Sequence, residues 1–330
     1  MRRFTTAEPK KDGGFKPPLL EDSAIPVPGR DSVSGGQNPS VKTLGYCHQS
    51  WSCTLDVSAV GSYDIGMIFG FLKQRRRRNL RAQPIPPAWR STLTRTLPVF
   101  RKLPPKDQAE LLGHVQVFLA EKQFEGCGGL DLTDEMRLTI AAQACLLLLH
   151  RETDYYPQLS TILVYPSTYV AHGERHLEGP IWEEGGQSLL GHTQRRLGVI
   201  VLAWDAAKRG VTNPLDGQNV VLHEFAHQLD FEDYSTDGAP ALATRAEYRE
   251  WARVMSSEFK ALQAADEAGT PTVLDTYGAT NPAEFFAVAT EAFFERPRAL
   301  RAGHPELYAE LGKFFRQDPA RHFAEPATTA

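Results

Sequence analysis

Two histidines four residues apart, His223 and His227, enclose Glu224 in the run His-Glu-Phe-Ala-His. On a helix that spacing stacks both imidazoles on one face, where neutral ring nitrogens can hold one tetrahedral metal ion. Glu224, one position on from His223, is rotated toward the place a coordinated water would take, which makes it the candidate general base. Val220, Val221, Leu222, Phe225, Ala226 and Leu229 make the rest of the helix apolar. Two histidines beside an acid are costly in such a setting unless something satisfies them. The competing reading is a pair of core-facing histidines with a surface glutamate.

A catalytic zinc ion needs a third protein ligand and an open fourth position. One route takes Asp233, ten residues beyond His223, but it requires a glycine turn where this chain has Asp230. The other takes a glutamate from a later helix, and Glu284 in Asn281-Pro282-Ala283-Glu284 is the natural candidate. The same four residues also read as a helix start, with Asn281 as N-cap, Pro282 at N1 and Glu284 at N3, which needs no metal. Glu291, seven residues on and on roughly the same face, can orient a ligand histidine or simply pack, and Asp230 carries the same two readings. Tyr277 lies in the turn-rich stretch 275–282, where its phenol could donate to an oxyanion or pack.

These residues need elements to position them. Apolar residues recur at helical spacing from Pro105 to about Gln123 and again over 136–149. The runs 161–165 and 198–204 are short, β-branched and ended by turn residues, which predicts strands. From Asp216 onward the pattern is nearly all helix, including an apolar stretch at 285–294 that ends before Pro297. The fold class is therefore α+β, a small sheet followed by a mostly helical C-terminal half. The polar, Gly-rich connection 173–193 is a candidate lid, although loops of that composition are usually only loops.

At 330 residues and 42% hydrophobic, the chain can build a sizeable core. A formal net charge of -4 argues against a general nucleic-acid binder, so no direct nucleic-acid partner is expected. No stretch approaches the roughly 18 consecutive apolar residues that span a bilayer, so no membrane partner is expected either. Four scattered cysteines fit a reducing compartment and predict a cytoplasmic location. Residues 1–66 are rich in Gly, Pro, Ser and charge, and read as a disordered or spurious extension ahead of a domain over 67–330. Cys47, His48 and Cys53 match no zinc-knuckle spacing and are read as incidental. The basic run Arg75 to Arg78 is read as a solvated face rather than a membrane or nucleic-acid patch.

Taken together, His-Glu-Phe-Ala-His-Gln-Leu-Asp at 223–230, Tyr277, and Asn-Pro-Ala-Glu-Phe-Phe-Ala-Val at 281–288 resemble the Mlc titration factor A family of bacterial zinc peptidases. The catalytic core of that family is similar to that of anthrax lethal factor. The similarity runs from about Met67 to the C-terminus and includes 198–204 and 314–319. It implies a zincin-like core in which His223, His227 and Glu284 hold one Zn2+ ion, Glu224 is the general base and Tyr277 assists the oxyanion. It also implies a cytoplasmic, aminopeptidase-like metalloprotease acting on small peptides. In the family's best-known member the protein binds the glucose-responsive repressor Mlc and so affects sugar-uptake genes, which offers a Mlc-like transcriptional repressor as a second partner. The alternative function is a regulatory binding protein that sequesters a transcription factor around a non-catalytic zinc site. Glu224 argues against it, because a closed structural site has no use for a base. A zinc hydrolase acting on a non-peptide amide is a further rival. On the peptidase reading, 198–204 is an edge strand on which an extended peptide could pair by its backbone.

Overall fold

The computed structural model describes residues 62–167, 198–213 and 215–321, with side chains from Phe69 onward. The Cys47, His48 and Cys53 group and the 173–193 connection lie outside these residues, as does most of the expected N-terminal extension. The chain divides into two units, residues 18–76 and residues 1–17 with 77–330. In the smaller unit the described part belongs to helix α1, Ser62–Arg81, which starts ahead of the boundary expected at Met67.

In the larger unit, prolines open many of the helices. Pro87, Pro98 and Pro105 start α2 (Pro87–Thr96), α3 (Pro98–Lys102) and α4 (Pro105–Glu121). A first-turn proline gives up an N–H that has no partner there anyway, and its fixed φ suits the helix. The short strand β1 (Gln123–Gly126) follows α4, and α5 (Asp134–Leu146) is capped by Thr133, whose hydroxyl accepts from Met136 N. Strands β2 (Thr161–Tyr165) and β3 (Val199–Ala203) complete a sheet of order β1-β2-β3, parallel throughout, with Gln123 opposite Thr161 and Thr161 opposite Val199. Among the described residues β3 is an edge strand, as expected for 198–204, and it runs directly into α6 (Trp204–Thr212).

The helical half holds α7 (Val220–Asp230), α8 (Arg245–Glu267), α9 (Pro282–Glu295), α10 (Pro297–Gly303) and α11 (Pro305–Phe315). The molecule is thus α+β, with a small parallel sheet and mostly helical content. The core is continuous across both halves. Phe225 of α7 meets Tyr156 and Phe118 with ring centroids 4.9 and 5.7 Å away, while Phe286 of α9 packs on Trp251 and Phe314. Burying aromatics on both faces of the α7–α9 pair fixes the rotation of each helix, and so decides which side chains they turn toward one another.

Two details differ from the sequence reading. Strand β1 is not among the strands expected from the sequence, because Gln-Phe-Glu-Gly has a single large apolar residue and, among the described residues, pairs only with its neighbour β2. The run Arg75 to Arg78 is not uniformly solvated: Arg77 is 1% exposed. Its guanidinium donates to both carboxylate oxygens of Glu121 at 2.9 and 2.7 Å, and pairs with Asp154 as well. Arg77, the first residue of the 77–330 segment, is a buried clamp on α4 and the segment before β2, which a charge pattern read residue by residue does not reveal.

Candidate metal centre

Asn219 starts α7 by accepting from Val221 N and Leu222 N, both at 3.1 Å, and this cap sets the phase of the helix. From that phase His223 and His227 share one face, their ring centroids 4.8 Å apart and nearly perpendicular. Helix α9 begins when Asn281 accepts from Glu284 N at 3.0 Å, so the predicted N-cap is present. The Glu284 carboxylate is turned to the histidines: Oε2 is 3.0 Å from His223 Nε2 and 3.3 Å from His227 Nε2. The two readings of this segment are therefore compatible, with Asn281 capping and Glu284 reaching the imidazoles.

One donor atom from each of His223, His227 and Glu284 lies within 4.8 Å of the other two. Asp233 is not part of this convergence; it is exposed and accepts from Ser235 N. Glu224 is half-buried on α7 beside His223. Tyr277 sits in a short turn, Thr276–Ala279, 38% exposed, with its ring centroid 6.1 Å from that of His223. Asp275 holds this turn by accepting from Tyr277 N at 2.9 Å.

A further layer lies behind the histidines. Glu291, 7% exposed, accepts from His223 Nδ1 at 2.8 Å and also takes the backbone N–H of Asn219. Glu295 accepts from Asn219 Nδ2 at 2.9 Å. One end of α7 is therefore bound to the buried face of α9, and the tautomer of His223 is set so that Nε2 faces Glu284. Asp230, also fully buried, accepts from Gly238 N at 3.1 Å. Asn219 and Glu295 were not singled out from the sequence. An Asn immediately before the apolar run was the available signal for the first; Glu295, four residues after Glu291 on the same helix, follows only from helical phase.

Two glycines let the neighbouring chain approach this pair. A Cβ on Gly210 of α6 would come within 2.9 Å of Asn219 Cγ. Gly238 has φ +76, and a Cβ there would be 2.3 Å from the Pro282 carbonyl oxygen, so its loop rests on the first turn of α9.

Burial alone would lower the His223 pKa, but hydrogen bonds to Glu284 and Glu291 outweigh it and hold the imidazole well above its ordinary value. Burial opposes ionisation of Glu284, yet the two histidines hold its carboxyl well below the usual range. Burial pushes Glu291 up, against its bonds from His223 and Asn219. The cluster thus concentrates positive charge against carboxylates in a buried place. Two imidazoles and a carboxylate are a donor set suited to a divalent transition metal, which binds where protons would otherwise sit.

A profile of the glucose-regulated metallo-peptidase M90 family matches residues 71–316. The chain belongs to that family. An uncharacterized protein of Synechocystis is 42% identical over 244 residues, 74% of this chain and 89% of that protein. Mlc titration factor A of Serratia proteamaculans is 30% identical over 237 residues, 70% of this chain and 87% of its own, and that of Yersinia pestis is 29% identical over 240 residues, with 70% and 84% covered. Both helices of the cluster fall inside the span matched to the M90 family, and a metal ion is in keeping with a metallopeptidase family. Among the described residues no helix is long and apolar enough to cross a membrane.

Proposed function

We propose that this M90 member is a zinc-dependent, aminopeptidase-like peptidase of the HExxH-plus-distal-Glu type, built on a zincin-like core over residues 67–330 and working in the cytoplasm. The observation that carries the reading is the approach of His223 Nε2 and His227 Nε2 to a single oxygen of Glu284, at 3.0 and 3.3 Å. These three residues would hold one Zn2+. Bound there, the ion supplies Lewis acidity that makes water nucleophilic near neutral pH and polarises the scissile carbonyl. Glu224 takes the proton of the attacking water and passes it to the leaving amine. Tyr277, whose exposed ring stands beside His223, donates its phenol proton toward the developing oxyanion. Glu291 keeps His223 in the tautomer that presents Nε2. An extended peptide pairs along β3, an edge strand of the sheet among the described residues, which reads backbone rather than side chains.

A second role rests on the relatives bearing the name Mlc titration factor A. Binding of a Mlc-like transcriptional repressor could accompany peptidase activity in this chain. A peptide library incubated with the protein, with and without a chelator, tests the enzymatic reading. Cleavage that the chelator stops and zinc restores is the expected result. Repressor binding with no chelator-sensitive cleavage of any peptide would leave only the regulatory role.

A further inference from the structure

We propose that Asp107, Glu110 and His150 form a second site for a divalent transition-metal ion, apart from the α7–α9 centre. Asp107, Glu110 and His114 occupy positions i, i+3 and i+7 of α4 and so line one stripe of that helix. His150 follows α5 and adopts the left-handed conformation at φ 62, which turns its ring back onto this stripe. His150 Nε2 lies 3.5 Å from Asp107 Oδ2, and His150 Nδ1 lies 3.2 Å from Glu110 Oε2. The His150 backbone N–H donates to Glu110 Oε1 at 2.8 Å, which fixes the carboxylate beside the ring. One donor atom from each of the three residues falls within 4.8 Å of the others, a bound that His223, His227 and Glu284 also meet.

A second feature points to the same spot. His114 is 2% exposed, and its Nδ1 is engaged with the Tyr155 hydroxyl at 2.7 Å. Its Nε2 is buried and, among the described residues, faces Glu110 Oε1 at 3.5 Å, the outer limit of a hydrogen bond. A buried imidazole is thereby aimed at the carboxylate that completes the trio. Asp107 and His150 also line a cavity of about 170 Å³ whose walls include Leu146, Phe294, Arg316 and Asp318, so the trio has room beside it for water or a small ligand. Arg316 donates to the His150 carbonyl at 3.4 Å, and Arg321, also at the cavity, is paired with Asp318.

The donor set selects the ion. Two carboxylates favour hard cations, while an imidazole brings in zinc, manganese and their neighbours ahead of calcium or magnesium, which take oxygen donors throughout. The site joins α4 to the end of α5, on elements that contribute nothing to the first cluster, so its occupancy is independent of peptidase activity.

The test titrates Zn2+ alone into the full-length protein and into His227→Ala, which disables the first cluster, with circular dichroism confirming the fold. The wild type binds two equivalents and His227→Ala retains one. Adding Asp107→Asn to His227→Ala weakens that remaining equivalent at least tenfold, and His150→Asn does the same, asparagine being tolerant of the left-handed backbone. A folded His227→Ala protein that binds no zinc overturns the proposal. So does a remaining equivalent whose affinity neither substitution changes.

Discussion

The two histidine–carboxylate clusters offer similar donors at similar separations, yet they are supported in different ways. At His223, His227 and Glu284 every donor rises from a long helix, and the side chains are 2–14% exposed. Behind them Glu291, Asn219 and Glu295 form a hydrogen-bonded layer that closes both helices on one another. At Asp107, Glu110 and His150 one donor comes from a turn, the side chains are 14–31% exposed, and the side chains behind them are those of His114 and Tyr155, with Arg316 on the His150 carbonyl. The contrast shows that convergence of donors and rigidity of donors are separate properties. Catalysis requires both, because a reacting group must be held to within a fraction of an ångström, whereas an ion clip needs only the first.

The sharpest way to break this comparison is to ask whether the rigid cluster does chemistry. Glu224→Gln lowers peptide turnover by about 10²- to 10⁴-fold while zinc at the α7–α9 centre stays at one equivalent. Steady-state kinetics with metal analysis reads both quantities, and undiminished turnover removes the base assignment. The supporting layer comes next. Glu291→Gln weakens zinc binding at the first cluster by about 10- to 100-fold and leaves the second equivalent untouched, as measured by competition against a chromophoric chelator. Equal loss at both sites would mean that the substitution acts through global unfolding.

Gly238→Ala forces a side chain into a left-handed residue pressed on the Pro282 carbonyl, and should destabilise the protein by about 2 kcal/mol. Denaturant unfolding checks this, and an unchanged midpoint would show that the loop yields without disturbing α9. The smallest effect concerns pH. Burial pushes the Glu295 carboxyl up to about 8, with nearby Glu291 and Asp216 adding to the rise and the Asn219 bond opposing it. A carboxyl raised in the fold contributes stability below its unfolded value of about 4.3, and that contribution disappears as pH rises through about 8. Glu295→Gln should therefore leave the melting temperature unchanged near pH 4 and raise it at pH 9, by an amount corresponding to about 1 kcal/mol. Parallel melting curves for the two proteins across this range would show that Glu295 titrates as an ordinary surface acid.

The sequence made the first cluster readable because its parts are local signals. His223 and His227 announce themselves by helical spacing, and Glu284 by standing at the start of a capped apolar helix. Whether Glu284 faced a metal or its own backbone depended on the docking of α9 against α7, a contact between residues some sixty positions apart. Glu295 was hidden for the same reason. The pattern of helices came from apolar periodicity and the strands 161–165 and 198–204 from short β-branched runs ended by turn residues, while β1 exists because β2 offers it an edge. The second cluster has a legible half, Asp107, Glu110 and His114 on one helical stripe. Its other half, His150, depends on a left-handed turn that an ordinary histidine in a loop does not signal.

Arg77 carries a practical corollary. Its guanidinium pairs with both Glu121 and Asp154, and it reaches them from the last stretch of α1. A shortened version of the protein beginning after Arg77 would take a two-point guanidinium pairing away from the Glu121 carboxylate at the end of α4, immediately before β1. The useful trimming point for expression work lies upstream of that arginine, and the M90 match, which begins at residue 71, keeps it.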